Sequence, residues 1–491
     1  MDILFDARML NRPLSGLERV QLNVLRELSQ LPQVKRVRVV LIKHTNTAKP
    51  LPESVERCEV WTTDDIIKIL TDPAQRPDVY HMSWFPDTTP RDLFLPLLAP
   101  ASVVEVHDAI LNRHPEYFPD QEHFHWYNGY IKRLIRNSDR LLVHSRSVIS
   151  EIEKDLQGDG SIADLAPLAV DPDFHNPLSA AEVKRRCARI GFPGDFILAV
   201  GKDYPHKDHA TLFRAMARLP QSVKLCIAGT KTWRKPGETS DEIMAQLGIS
   251  DRVKWVQGLD DEDIKALMQG CKAMAYPSLE EGFGIPPIEA MALRTPVVAA
   301  NAMSIPEVCG DGAWLHQPGN DHELEMYLRR CLAGGADVQL LIERGIQREQ
   351  QFSWRRTAEL TLASYQKAIE TAKNGTSPRK QLDVSVRDSL AIAARYKFND
   401  LERELAAWQQ RCLGAESQLR TAQMHAGKLE TRLAELGQQP SPPLPPAPPP
   451  PPTTREPDPA LVAQISAPRP RWSLKRRIRK IRDALKGKPK S

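Results

Sequence analysis

The 491-residue chain contains no run of about 18 apolar residues, which excludes a membrane-spanning helix on sequence grounds. Its first ten residues, MDILFDARML, are charged from position 2 and lack the apolar core of a signal peptide, so a cytoplasmic location is expected. Cysteine is sparse: seven residues, at 58, 187, 226, 271, 309, 331 and 412, odd in number and without a C-x-x-C pair. That spacing excludes a disulfide framework or a cysteine zinc site and suits a reducing compartment. A basic body is also missing. The net charge of +5 conceals eleven Lys or Arg against the single acid Asp483 between Arg469 and Ser491, a local +10 that leaves about −5 on the other 468 residues. Nucleic acid is therefore not an expected partner of the body, and the basic character is confined to a tail.

What is present up to about Glu370 is an alternation of apolar strand-like runs and amphipathic helices. The runs are 3–7, 37–42, 78–82, 102–108, 140–145, 196–201, 223–229, 253–258, 273–278 and 296–301, with helical stretches such as Val20–Leu28 and Thr211–Arg218 between them. This predicts an α/β fold of parallel sheets covered by helices, with ligands at the carboxyl ends of the strands. Two doubly wound domains are expected, over 1–170 and 171–375, facing a cleft. The proline-containing segment 165–177 links them, and a helix from Trp354 to about Ala372 closes the second.

The stretch EGFGIPPIE, Glu281 to Glu289, places a carboxylate at each end of a glycine loop that runs into a helix. Gly282, Gly284 and the Pro286-Pro287 pair bar a continuous helix, and helical apolar spacing resumes at Ile288. Such a junction directs backbone N–H groups and a positive helix end at an anion, usually phosphate. Two carboxylates beside it make sense if they accept hydrogen bonds from hydroxyl groups on either side of that phosphate.

Beyond residue 380 the composition changes. With Ala391 as position a, all fourteen a and d positions from Ala391 to Leu436 are apolar, predicting a coiled coil over 385–437 and a homo-oligomer through 391–436. The alternative is a long helix packed on its own globular body. A Pro-rich linker (438–467) and a basic amphipathic tail (468–491) follow, both expected to lack a core. In the tail, Leu474, Ile478, Ile481 and Leu485 share one face, and basic residues flank it, which suits an anionic membrane surface. Nucleic-acid binding or a solvated charge run are the competing readings.

The run YPSLEEGFGIPPIEAMALRTPVVAANAMSIPEVCGDGAWL (276–315) resembles the donor-site motif of retaining family 4 glycosyltransferases, which have the GT-B fold. Similar segments precede it in the family's order, among them DARMLNRPLSGLERVQLNVLREL, EVHDAILNRHPEYFP and AVGKDYPHKD. The resemblance covers residues 1–370 and is strongest to bacterial O-antigen and surface-glycan mannosyltransferases. It implies that Glu281 sits at the donor sugar, that Glu289 binds the nucleotide ribose, and that amides around Gly282, Phe283 and Gly284 face the sugar and diphosphate. Lys207 matches a diphosphate-binding Lys, and Lys202 stands where Arg is commoner, losing the bidentate fork. Gly16 lies in a loop opposite the phosphates. His107 falls near the reacting sugar carbon, with Asp108 as its orienting partner.

No metal is expected, since the D-x-D pairs at Asp171–Asp173 and Asp261–Asp263 match no donor motif, and no cofactor is implied. Arg294 departs from the family's usual Gly, and only a surface effect is expected there. The expected activity is retaining transfer of a sugar, mannose from GDP-mannose, to a glycan or polyprenyl-linked acceptor at the inner face of the membrane. UDP- and dTDP-sugars, an inactive coiled-coil scaffold and a phosphorylase-like enzyme are the alternatives.

Overall fold

The computed structural model describes residues 1–11, 16–41, 47, 49–58, 69, 72, 74–83, 98–231 and 239–378. The expected coiled coil, Pro-rich linker and basic tail lie outside these residues. One compact unit, residues 1–61 with 75–382, contains both sheets described below; a second comprises 62–74 and 383–491.

The apolar runs become strands because a parallel strand covered on both faces must be apolar on both. In the first lobe these are β1 (Asp2–Asp6), β2 (Arg36–Val40), β3 (Val55–Cys58), β4 (Val79–Met82), β5 (Ala101–Val106), β6 (Arg140–Val143) and β7 (Ala163–Leu165). They form one parallel sheet in the order β3-β2-β1-β4-β5-β6-β7. The second lobe has β8 (Phe196–Val200), β9 (Lys224–Ala228), β10 (Val253–Val256), β11 (Ala273–Tyr276), β12 (Val297–Ala300) and β13 (Ala313–His316). Their parallel order is β10-β9-β8-β11-β12-β13.

In each sheet the order reverses beside the first strand, between β1 and β4 and between β8 and β11. Ile3 pairs with Val37 on one side and Val79 on the other. Loops leaving neighbouring strands at such a reversal diverge and open a crevice. Gly16, His107, Lys207 and Glu281 all follow the carboxyl ends of β1, β5, β8 and β11, so the topology brings them to the two crevices.

All ten expected strands form. The three that were not anticipated, β3 (VERC), β7 (ADL) and β13 (AWLH), are short and carry polar residues. The last two are outer strands whose inner pairing alone holds them, and β3 closes the opposite edge of the first sheet.

The helix Trp354–Lys373 corrects the expected domain division. It was expected to close the second lobe, yet it packs on the first, against the helix Gly16–Leu28 and the strands β5 and β6. Its buried face explains the choice. The Trp354 indole donates to Val170 O (2.8 Å), Thr357 Oγ1 to Pro167 O (2.5 Å) and Ser364 Oγ to Asp164 (2.8 Å), while Tyr365 Oη lies 2.7 Å from His81 Nδ1. These polar groups find their partners in the first lobe, and the buried Thr361 Oγ1 donates to Thr357 O of its own helix (2.8 Å), so docking there leaves none of them buried without one.

Candidate functional site

Glu281 sits between two donors. Lys207 Nζ is 2.5 Å from its Oε1, and Tyr276 Oη donates to the same oxygen at 2.6 Å. The Lys207 ammonium also lies 5.7 Å from the Tyr276 ring centroid. Burial works against the Glu281 charge, but Lys207 and these hydrogen bonds outweigh it and hold the carboxyl below its ordinary range. Burial and the adjacent Glu281 charge push the Tyr276 phenol well up, so it stays a donor.

The glycine loop is shaped by its neighbours. Ser304 Oγ donates to Glu281 O (2.8 Å) and Phe283 O (3.0 Å), and Ser145 Oγ, from the first lobe, donates to Gly282 O (2.6 Å). A Cβ on Gly282 would fall 1.7 Å from His107 O and 3.1 Å from Asp108 Cβ. Only glycine permits that approach between the lobes. Gly284, at φ +95°, is the N-cap of the helix Ile285–Ala292. The Phe283 side chain is buried and meets Phe352 edge-on at 5.6 Å, leaving only its backbone to face a ligand.

Glu289, in the second turn of that helix, has the opposite surroundings. It is 8% exposed, and among the described residues its carboxylate accepts no hydrogen bond. Burial pushes its carboxyl up to about 7; Arg19 opposes the shift, while Asp171 and Asp261 add to it. Arg19 comes from the helix that begins at Gly16. Its guanidinium donates to Asp261, and Nη1 lies 3.7 Å from Asp171. Both D-x-D pairs are thereby accounted for in part: Asp171 and Asp261 converge on Arg19, and Asp263 pairs with Arg186 at 2.7 Å.

The remaining expected residues divide. Gly16 is exposed at the head of its helix, and no contact among the described residues requires glycine there. Lys202 is exposed, and its ammonium pairs with none of the described residues. Asp108 does not orient His107; its carboxylate accepts from Ile110 N at 2.9 Å. Burial and the nearby Glu281 push the Asp108 carboxyl up.

His107 is buried among Glu105, His144 and His81. Burial drives its pKa down to about 4, and the neighbouring histidines add to this while Glu105 opposes it. It is therefore a neutral hydrogen-bonding group near pH 7. His144 Nδ1 lies 2.9 Å from Ala166 O and so carries the proton, and its Nε2 is 2.9 Å from Glu105 Oε1 yet out of line for a good hydrogen bond. Glu105, His107 and His144 offer donor atoms within 4.8 Å of one another and could hold a small cation, a grouping the absence of metal motifs did not foretell.

Tyr276, Ser304 and Arg19 were not singled out from sequence. Tyr276 had a usable signal, its place at the carboxyl end of β11; the other two act through contacts remote in sequence.

Residues 189–348 match the family described as glycosyl transferases group 1. The second lobe is thus similar to a group 1 glycosyl transferase domain. The chain is 35% identical over 254 residues to the MMP alpha-(1->4)-mannosyltransferase of Mycolicibacterium hassiacum, which covers 50% of this chain and 58% of that protein. It is 25% identical over 284 residues to O-antigen chain mannosyltransferase B of Escherichia coli, covering 56% and 72%. The chain thus spans little more than half the length of the first of these relatives. The crystal structure of Anabaena Alr3699/HepE in complex with UDP and glucose superposes with a TM-score of 0.56 at 20% identity, over 74% of this chain and 99% of that one. That likeness shows the fold: two parallel sheets arranged as in GT-B glycosyltransferases. The matched segment carries Lys202, Lys207, Glu281 and Glu289, while Gly16, His107 and Asp108 lie in the first lobe, outside it.

Proposed function

We propose that the protein is a retaining, metal-independent glycosyltransferase that moves mannose from GDP-mannose to a lipid-linked or growing bacterial surface glycan. The observation that carries this reading is the unlike pair of carboxylates at the two ends of the loop-to-helix junction. Glu281, ionised and fixed by Lys207 and Tyr276, suits hydroxyl groups of the donor sugar. Glu289, buried without a hydrogen-bond donor, suits the ribose hydroxyls that would supply one. The amides of 282–284 and the cations Lys207 and Lys202 serve the diphosphate, where negative charge grows as the glycosidic bond breaks. Neutral His107 hydrogen-bonds the sugar or the acceptor. The group 1 domain and the mannosyltransferase names of the relatives support the reaction class and the sugar.

Sequence pattern alone supports the rest of the proposal. Residues 391–436 join copies of the chain, and residues 468–491 dock on anionic lipid. Among the described residues no helix is long and apolar enough to cross a membrane. The test is a panel of nucleotide sugars scored for slow hydrolysis and for transfer to polyprenyl-linked glycan. GDP-mannose should be turned over best; preference for a UDP- or dTDP-sugar would overturn the donor assignment. Solution mass of the full chain against residues 1–380 tests the coiled coil, and a monomer in both would refute it. Sedimentation with liposomes tests the tail, whose loss should abolish salt-sensitive binding to anionic lipid.

A further inference from the structure

Lys207 and Glu281 are each preceded by a residue that the first lobe grips. Glu280 accepts from Arg113 through Nη2 (2.5 Å) and Nε (3.0 Å), both on Oε2, and its Oε1 lies 2.7 Å from His114 Nε2. His206 Nδ1 lies 2.9 Å from Tyr117 Oη, and the His206 amide donates to that oxygen at 3.4 Å. The gripping residues form one short segment after β5. Arg113 is braced on its own lobe by Glu151 (3.1 Å) and Asp155 (2.7 Å), and the His114 and Tyr117 rings stack at 4.7 Å and 13°.

The geometry also fixes protons. His114 Nδ1 lies 2.8 Å from Glu116 Oε1, so both ring nitrogens face carboxylate oxygens. A neutral imidazole donates from one nitrogen only; a ring that donates from both is the imidazolium. Tyr117 Oη meets a His206 kept neutral near pH 7, since burial and then Lys207 lower its pKa to about 4, so His206 Nδ1 accepts the phenol proton.

We propose that Arg113, His114 and Tyr117 form a strap of positioning residues that holds the immediate neighbours of Glu281 and Lys207 and grips fully only while His114 carries both its protons. Burial disfavours that charge, but the hydrogen bonds that the ring donates to Glu116 and Glu280 outweigh it and raise the His114 pKa. The groups facing the ring are Glu116, Glu280, Tyr117 and the neutral His206, with Arg113 sharing Glu280. The sign follows: the grip is complete below the ordinary imidazole range and is lost as pH rises through the raised value.

The consequence for turnover rests on the transferase reading above; the strap itself does not. Hydrogen exchange of residues 201–207 and 276–284 in the full chain tests it, at pH 6 and pH 8.5 and corrected for intrinsic exchange. Wild type should lose protection in both segments at the higher pH. His114→Gln should show the low protection at both, with the rest of the lobes unchanged, and Tyr117→Phe should loosen 201–207 more than 276–284. Protection in His114→Gln equal to wild type at pH 6, or a pH-independent wild type, would overturn the strap. In parallel, GDP-mannose hydrolysis should fall about tenfold in kcat for His114→Gln at pH 6, as for loss of one charged hydrogen bond, with KM little changed and the alkaline limb flattened. Exchange that follows the prediction while no variant turns over any donor would uphold the strap and refute the transferase reading.

Discussion

Glu281 and Glu289 stand at the two ends of one nine-residue stretch, yet the fold treats them oppositely. Glu281 receives an ammonium from Lys207 and a phenol from Tyr276, and it stays ionised. Glu289 is as hidden from water but has only the more distant charge of Arg19 to set against burial, Asp171 and Asp261, and its carboxyl rises to about 7. The same side chain is thus a fixed charge in one place and an unsatisfied acceptor in the other. What separates them is not local sequence but which strand ends and which first-lobe helix come alongside. A carboxylate already provided with donors works by its position. One left without them gains most from a ligand that brings hydroxyl groups.

The contrast can be attacked from either end. The largest effect is expected from Lys207→Met, which removes the cation that fixes Glu281 and serves the diphosphate. Turnover should fall by roughly 10²–10³, the range for deleting one charge-stabilising donor. A variant that keeps kcat within threefold of wild type would show that the pair is structural only.

A smaller effect concerns Glu289 and pH. Because its folded pKa is raised, the native state holds a proton that the unfolded chain has already released. Its contribution to stability is therefore favourable at about pH 4–5 and is lost as pH rises towards 7, on the order of 3 kcal/mol in all. Thermal melts from pH 5 to 8 should fall less steeply for Glu289→Gln than for wild type; parallel curves would mean that Glu289 is ionised throughout. The equivalent change at Glu281, whose carboxyl is held low, should leave that pH window unaltered.

The smallest effect lies at the end of the helix that bears Glu289. Arg294 adopts φ +63° as the residue after the C-cap, donating to Met291 O, while Thr295 N reaches Ala290 O. These two bonds make a Schellman motif, whose left-handed position favours glycine. The departure noted at this position thus carries a backbone cost, where only a surface effect was expected. Arg294→Gly should stabilise by about 0.5–1 kcal/mol, since relief of left-handed strain exceeds the added entropy of the unfolded glycine. The melting temperature should rise slightly with GDP affinity unchanged; a fall would place a required contact on the Arg294 side chain.

The fold was legible where burial made it so. Strands such as FILAV (β8) and VVAA (β12) are covered on both faces and read as apolar runs, whereas VERC and ADL at sheet edges give little periodic signal. The glycine loop and its two acids were also legible, because backbone demands at Gly282 and Gly284 are written in residue type. The partners were not. Lys207 is 74 residues from Glu281, and Arg19 is 242 from Asp261, so no local pattern links them. The lobe chosen by the helix Trp354–Lys373 was hidden for a related reason. Amphipathic spacing shows that a face is buried, and only its hydrogen-bond partners, 167–170 among them, decide against what.

The division of labour between the two acids is tested most directly by titrating GDP into Glu281→Ala and Glu289→Ala by calorimetry at pH 7.5. The account predicts that Glu289→Ala weakens GDP binding by roughly tenfold to a hundredfold, the cost of a charged hydrogen bond of ~1.5–3 kcal/mol, while Glu281→Ala stays within about threefold of wild type. Equal losses in the two variants, or a loss confined to Glu281→Ala, would contradict it.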